Sequence, residues 1–160
     1  MTSGRMRPEP SLKARALRHL SRREHSRAEL ARKLAEHEPD AEVIQQLLDQ
    51  LQAQGWLSDE RFAESLVRAK ANRYGVRRLR ADLQARGVSA ESASKALLDH
   101  PVDELERARA WWTRKFGQAP LSPQDRARQM RHLLSRGFEP DVVRRVVPAV
   151  NDDDHDARED

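Results

Sequence analysis

The chemistry open to this chain lies in its cations. Lys and Arg supply 30 of its 160 residues, and they are not evenly spread. The densest run is Arg73-Tyr74-Gly75-Val76-Arg77-Arg78-Leu79-Arg80. A second group is Arg22, Arg23, Arg27, Arg32 and Lys33, and a third is Arg126, Arg128 and Arg131, followed by Arg144 and Arg145. A guanidinium is a planar fork of five donors that matches phosphate or carboxylate two bonds at a time. These groups therefore suit a nucleic-acid backbone or an acidic protein groove. The candidate partner- or DNA-binding residues are Arg22, Arg23, Arg27, Lys33, Arg73, Arg77, Arg78, Arg80, Arg128 and Arg131. The plainer role for any one of them is to solvate a helix face.

Groups for catalysis are missing. The six His residues (His19, His25, His37, His100, His132 and His155) are scattered, with no two-His metal motif at helical spacing. There is no Cys, and the six Gly residues do not form a phosphate-cradling loop. Acid pairs such as Asp59-Glu60 and Asp103-Glu104 stand where helices start, a structural position. No nucleophile, base and orienting group converge on a common site. The expectation is a non-enzymatic protein with no cofactor and no metal. Seven aromatic residues are too few for a dedicated base-stacking surface.

The elements that must position the arginines are helical. Leu, Ile, Val and Phe form only one fifth of the chain, which favours several small cores over one large core. No segment alternates apolar and polar residues as a half-buried strand does. Three segments superpose at offsets of 49 and then 50 residues. They are Leu30, Leu34, Asp40, Val43, Ile44, Leu47 and Leu48; Leu79, Leu83, Ser89, Ser92, Ala93, Ala96 and Leu97; and Gln129, Leu133, Glu139, Val142, Val143, Val146 and Val147. Each is a helix, a short corner and a second amphipathic helix. Arg86-Gly87-Val88 and Arg136-Gly137-Phe138 suit a glycine-closed helix end whose following apolar residue folds back. The first segment has His37-Glu38-Pro39 there, and Pro39 stops the helix by another route.

Starts are marked by a capping-box pattern at Ser26 and Glu29, by Ser122-Pro123 with Asp125, and by Glu139-Pro140-Asp141. A further helix precedes each pair. One covers about 11–23 with Leu12, Ala16, Leu17 and Leu20 inward. The next covers about 59–72 with Phe62, Ala63, Leu66 and Ala69 inward. The last covers about 102–116 with Leu105, Ala108, Trp112 and Phe116 inward. Of Trp111 and Trp112, adjacent on a helix, packing against the neighbouring unit is the expected role, and an exposed interface anchor is the alternative.

The fold class expected is all-α: three tandem three-helix, helix-turn-helix-like repeats in an elongated, curved array that stabilise one another by stacking. The division is 1–10 a flexible N-terminus, 11–57, 58–100 and 101–150 the three repeats, and 151–160 an acidic disordered tail. That tail holds Asp152, Asp153, Asp154, Asp156, Glu159 and Asp160 against Arg158, a net of −5, so the remainder carries +9. No signal peptide or membrane span is evident, so a cytoplasmic monomer with no membrane partner is expected. A cationic group near the start of each middle helix would line one face as a stripe.

Three motifs carry a resemblance. They are Ser21-Arg22-Arg23-Glu24-His25-Ser26-Arg27-Ala28-Glu29-Leu30 with Lys33-Leu34; Gly55-Trp56-Leu57-Ser58-Asp59-Glu60-Arg61-Phe62-Ala63; and Tyr74-Gly75-Val76-Arg77-Arg78-Leu79-Arg80 with Leu83 and Arg86-Gly87-Val88. In this order they resemble the bacterial RecX regulatory proteins over about residues 12–148. His37-Glu38-Pro39 departs from the family's Gly-containing corner. The resemblance implies the three-repeat fold and a partner, the RecA recombinase filament on single-stranded DNA. It also implies restraint of RecA strand exchange, ATPase and co-protease activities, and so modulation of DNA repair and the SOS response. The alternative is a regulator that binds single- or double-stranded DNA directly through the arginine stripe.

Overall fold

The computed structural model describes residues 6–150. Part of the expected N-terminal segment and all of the acidic tail at 151–160 lie outside that range. Among the described residues the chain is all-helical. Repeat one holds α1 (Leu12–Arg22), α2 (Arg27–Leu34) and α3 (Ala41–Ala53). Repeat two holds α4 (Asp59–Lys70), α5 (Val76–Ala85) and α6 (Ala90–Leu98). Repeat three holds α7 (Glu104–Lys115), α8 (Pro123–Ser135) and α9 (Pro140–Val146).

The helices begin where short polar residues can accept a backbone N–H. Ser11, Ser26, Asp40, Ser58, Ser89, Asp103 and Ser122 each cap in this way. Ser26 and Glu29 form the reciprocal capping box. Glu139 precedes Pro140 at the start of α9 without a side-chain cap bond. The equivalent residues Asp40, Ser89 and Glu139 are the N-caps of α3, α6 and α9, so the superposition of the three segments holds in space.

Each repeat has its own core. Leu30, Leu34, Ile44, Leu48 and Leu51 form the first, and Phe62, Val67, Leu79, Leu83 and Val88 dominate the second. Leu133, Phe138, Val143 and Val147 dominate the third. Burying each such side chain contributes about 1.5–3 kcal/mol. Val88 and Phe138 fold back after Gly87 and Gly137, which take φ of 79° and 89°. A third corner of this kind lies at Gly55, with φ 81°, where the Trp56 and Leu57 N–H groups both reach the Leu51 carbonyl.

Some expected inward positions differ. Ala69 is exposed, and Val67 and Ala71 are buried instead. The apolar stripe of α4 thus turns toward α5 and α6 in its last turns. Phe116 is only half-buried, set edge-on against His132 at 5.4 Å. Trp111 and Trp112 pack in the core of their own repeat rather than directly on the neighbouring one. The Trp111 indole N–H donates to His132 Nε2 at 3.0 Å, and that of Trp112 donates to Gln129 Oε1 at 2.8 Å. Gln129 therefore stands where the other repeats have Leu30 and Leu79 because a buried indole needs an acceptor there.

The repeats join through one contact made twice. In the first junction the Ser26 hydroxyl, at the N-cap of α2, donates to the Arg86 carbonyl at the C-cap of α5 over 2.7 Å. In the second, the Gly75 N–H, at the N-cap of α5, donates to the Arg136 carbonyl at the C-cap of α8 over 2.9 Å, and Arg77 N–H reaches the Gly137 carbonyl at 3.0 Å. The backbones meet so closely that a Cβ on Gly75 would lie 2.2 Å from Phe138 N. A Cβ on Gly137 would lie 2.4 Å from Arg78 Cβ, and one on Gly87 would lie 2.6 Å from Ala28 Cβ. Gly75 has an ordinary φ of −81°, so it is required by approach and not by conformation.

His25 is buried at the α1–α2 corner, 1% exposed. Lys33 can only donate, so its Nζ, 3.0 Å away, makes His25 Nε2 an acceptor, and Nδ1–H donates to the Arg23 carbonyl at 3.0 Å. Burial, with the charges of Arg23 and Lys33 adding to it, holds the His25 pKa below 6.5, and burial, with Lys115 and Arg136, does the same at His132. A base favoured neutral in the fold contributes stability that is complete above 6.5 and is lost as pH falls below it. Melting temperature should thus fall on acidification from about pH 7 to about pH 5. The combined His25→Gln and His132→Gln chain should show a flatter profile, and an equally steep one would refute the assignment.

The junctions give a second expectation. Gly55→Ala meets nothing within 4 Å and should cost only the left-handed backbone penalty of about 1–2 kcal/mol. Gly75→Ala should cost about 3 kcal/mol or more and split urea unfolding into two transitions as repeats two and three uncouple. Far-UV circular dichroism and Trp fluorescence report this. A single transition with an unshifted midpoint would show that the junction does not couple the repeats.

Candidate binding surface

The structure divides the candidate cations into two sets, with Arg23 between them. Arg27, Lys33, Arg78 and Arg128 are occupied within the fold. Arg27 pairs with Asp49 at 2.7 Å and bonds Gln45 and Gln52. Lys33 holds His25. Arg78 reaches Asp82 at 3.4 Å and lies 4.9 Å from the centre of the Tyr74 ring. Arg128 pairs with Asp125 at 2.8 Å, and its bond holds the Asp125 carboxyl below 3.8. Arg23 is intermediate. It is half exposed, with NH1 on the Glu24 carbonyl at 2.8 Å and on Glu29 at 3.1 Å. Burial alone would raise the Glu29 pKa, but Arg23 and the Ser26 N–H bring it below 4.5.

Arg22, Arg73, Arg77, Arg80 and Arg131 are exposed. None of their guanidinium groups has a hydrogen-bond or ion-pair partner among the described residues. Arg77 and Arg80 lie about 60° apart around α5, away from buried Leu79 and Leu83. Arg73 precedes the same helix at the corner that Gly75 closes. The central repeat therefore presents the most concentrated set of unengaged guanidinium groups.

Other arginines do structural work that sequence reasoning missed. Arg86 crosses the first junction to Glu29 at 3.1 Å, beside Arg61–Glu24 at 2.9 Å and the Arg27 N–H on Asp59 at 2.7 Å. At the second junction Arg136 lies between two rings, 4.5 Å from Tyr74 and 4.4 Å from Trp111, while its Nε donates to the Arg73 carbonyl at 3.0 Å. Glu104 Oε1 accepts from Val76 N at 3.2 Å and Glu139 N at 3.0 Å, joining the starts of α5 and α9. Arg107 is 7% exposed, and its NH1 donates to the Ala71 and Tyr74 carbonyls at 2.7 and 2.8 Å. The signal available in sequence was the pair Arg86-Gly87 and Arg136-Gly137 at the repeat spacing. It marked a helix end, and it also marked a docking point.

Among the described residues no group of three or more His, Asp or Glu is placed to hold a metal ion. No helix there is long and apolar enough to cross a membrane. What the arrangement offers is recognition, through guanidinium groups held on a scaffold of three small domains.

Comparison with known proteins agrees with this architecture. The model described as RecX, first three-helix domain matches residues 13–51. The second three-helix domain matches 58–97, and the third matches 102–147. A regulatory protein RecX of Leptothrix cholodnii is 51% identical over 151 residues, covering 94% of this chain and 96% of that protein. One from Ralstonia nicotianae is 45% identical over 137 residues, covering 86% of each. The crystal structure of RecX from Lactobacillus salivarius superposes with a TM-score of 0.73 at 22% identity, covering 84% of this chain and 91% of that one, a likeness of fold. With all three domains matched in order and relatives this similar along nearly their whole length, the chain belongs to the RecX family of regulatory proteins.

Proposed function

We propose that this protein binds the RecA filament on single-stranded DNA and restrains its recombinase, ATPase and co-protease activities. In doing so it modulates DNA repair and the SOS response from the cytoplasm. It acts as a monomer and by binding, not by catalysis. The observation that carries the proposal is the set Arg73, Arg77 and Arg80, exposed at the start of α5 with no partner of their own among the described residues. Arg22 and Arg131 extend the cationic character into the outer repeats. Membership in a family of regulatory proteins supports the choice of partner.

In mechanism, guanidinium groups fixed on three rigidly joined repeats make several contacts at once. Contacts spread over adjacent filament subunits oppose subunit addition and the motions that accompany ATP turnover. Each charge-assisted bond contributes roughly 1.5–3 kcal/mol when it is made.

Two measurements on the filament ATPase test this. The protein should slow turnover at well below one copy per RecA subunit. Activity only at the ratio that coats the DNA, abolished by added naked DNA, would favour direct DNA binding through the same arginines. Arg77→Ala with Arg80→Ala should weaken inhibition by about tenfold or more at unchanged helicity, because both side chains are exposed. Full inhibition by a folded double variant would remove these residues from the interface.

A further inference from the structure

Repeats two and three leave a groove between α4 and α7. Its main cavity measures about 770 Å³, the size of a short peptide segment with its side chains. The wall brings Arg68 from α4, Asn72 from the corner just past it, and His100 and Val102 from the α6–α7 linker. A smaller cavity of about 370 Å³ shares Arg68 and His100 and continues past Val67, Ala96 and Pro101. The two adjoin at these shared residues beside α4.

The main cavity is basic. Arg68 and Arg109 line it, are exposed, and have no hydrogen-bond or ion-pair partner among the described residues. Arg114 gives one bond, to the Asn72 carbonyl at 3.0 Å, and keeps other donors. Arg107 forms part of the wall. Its charge is desolvated, it bonds only carbonyl oxygens, and its Nε is the one buried side-chain polar atom without a partner among the described residues. A buried cation without a carboxylate in contact leaves a positive field that an anion seated beside it would neutralise. Glu104 and Asp103 offset part of this field from outside the lining, and Glu106 is the one acid that lines the main cavity.

The smaller cavity is mixed in charge, since two acids line it together with Arg68 and His100. Glu64 and Asp99 flank it, Pro101 supplies exposed apolar surface, and the buried Val67 and Ala96 lie beneath as its floor. A phosphodiester strand carries charge at every nucleotide and would meet those acids. A peptide with carboxylates at one end and apolar side chains at the other matches both halves. Residues 151–160 of this chain contain six acids but only Ala157 as an apolar residue, so they match the basic half alone.

We propose that the groove between α4 and α7 is a docking site for a protein segment carrying acidic residues next to apolar ones. The occupant would touch α4, the α6–α7 linker and α7 together, bridging repeats two and three. Arg73, Arg77 and Arg80 do not line either cavity, and the proposal does not depend on their role.

Fluorescence anisotropy with the full-length chain tests it. The probe is a short labelled synthetic peptide with Glu residues at one end and Leu residues at the other. It should bind, and Arg68→Ser with Arg109→Ser should weaken binding about tenfold at unchanged melting temperature, since both side chains are exposed. Exchanging Glu for Gln in the peptide should weaken it similarly. The matched charge loss Lys13→Ser with Arg18→Ser, on α1, should leave it intact. The proposal fails if the peptide does not bind, or if exchanging Leu for Ser in the peptide changes nothing. It fails equally if a labelled oligonucleotide binds and is lost with the same Arg68 and Arg109 changes. Binding seen only after residues 151–160 are deleted would make this chain's own acidic segment the occupant and overturn the choice of a partner.

Discussion

A helix ends with unpaired groups: N–H donors and partial positive charge at its start, carbonyl acceptors and partial negative charge at its finish. This protein joins its repeats by setting one such start against another such finish. The N-cap of α2 meets the C-cap carbonyl of α5, and the N-cap of α5 meets that of α8. A Cβ at the points of closest approach would collide with the facing chain, so Gly75, Gly87 and Gly137 stand there. The order of the array follows. Among the described residues the C-terminal corner of α2 docks on no other repeat, so it tolerates His37-Glu38-Pro39 where the other two corners have Arg-Gly. Ser122-Pro123 at the start of α8 makes no such docking contact and is an ordinary capped helix start.

The same constraint explains why a chain with few large apolar residues holds together. Three small cores do not suffice to lock three repeats in place, and arginine supplies the rest. Arg136 does in one side chain what a lysine cannot. Its flat guanidinium lies against both Tyr74 and Trp111 while its Nε bonds a carbonyl at the edge. Arg107 secures the end of α4, and Glu104 ties the starts of α5 and α9. The second junction is thus fastened by stacked, partly buried groups. The first relies more on ion pairs with solvent access, such as Arg61–Glu24 and Arg86–Glu29, whose individual contributions are small.

Two of the proposed binding residues are also tied into the architecture. Arg73 offers its guanidinium to solvent and its carbonyl to Arg136, while Arg77 offers its guanidinium to solvent and its N–H to Gly137. A partner that grips these side chains grips the second junction as well. The groove between α4 and α7 crosses that junction on another surface. The central repeat is pinned to a neighbour at both ends of α5.

The sequence by itself determined the all-helical class, the period of 49–50 residues, the capping residues and the apolar corners after Gly87 and Gly137. These follow from local rules, since capping, helical periodicity and left-handed glycine involve residues within a turn or two of one another. The family was legible too, because its motifs are contiguous. Which arginines face outward was not legible. Arg27, Arg78 and Arg128 look no different in sequence from Arg77, Arg80 and Arg131, yet their partners range from Asp125, three residues before Arg128, to Asp49, on the next helix after Arg27. The second purposes of Gly75, Arg86 and Arg136 were hidden for the same reason. Each acts on a residue some 60 positions away, and only tertiary structure sets which helix end meets which, because that depends on how whole repeats pack and not on any local preference of the chain.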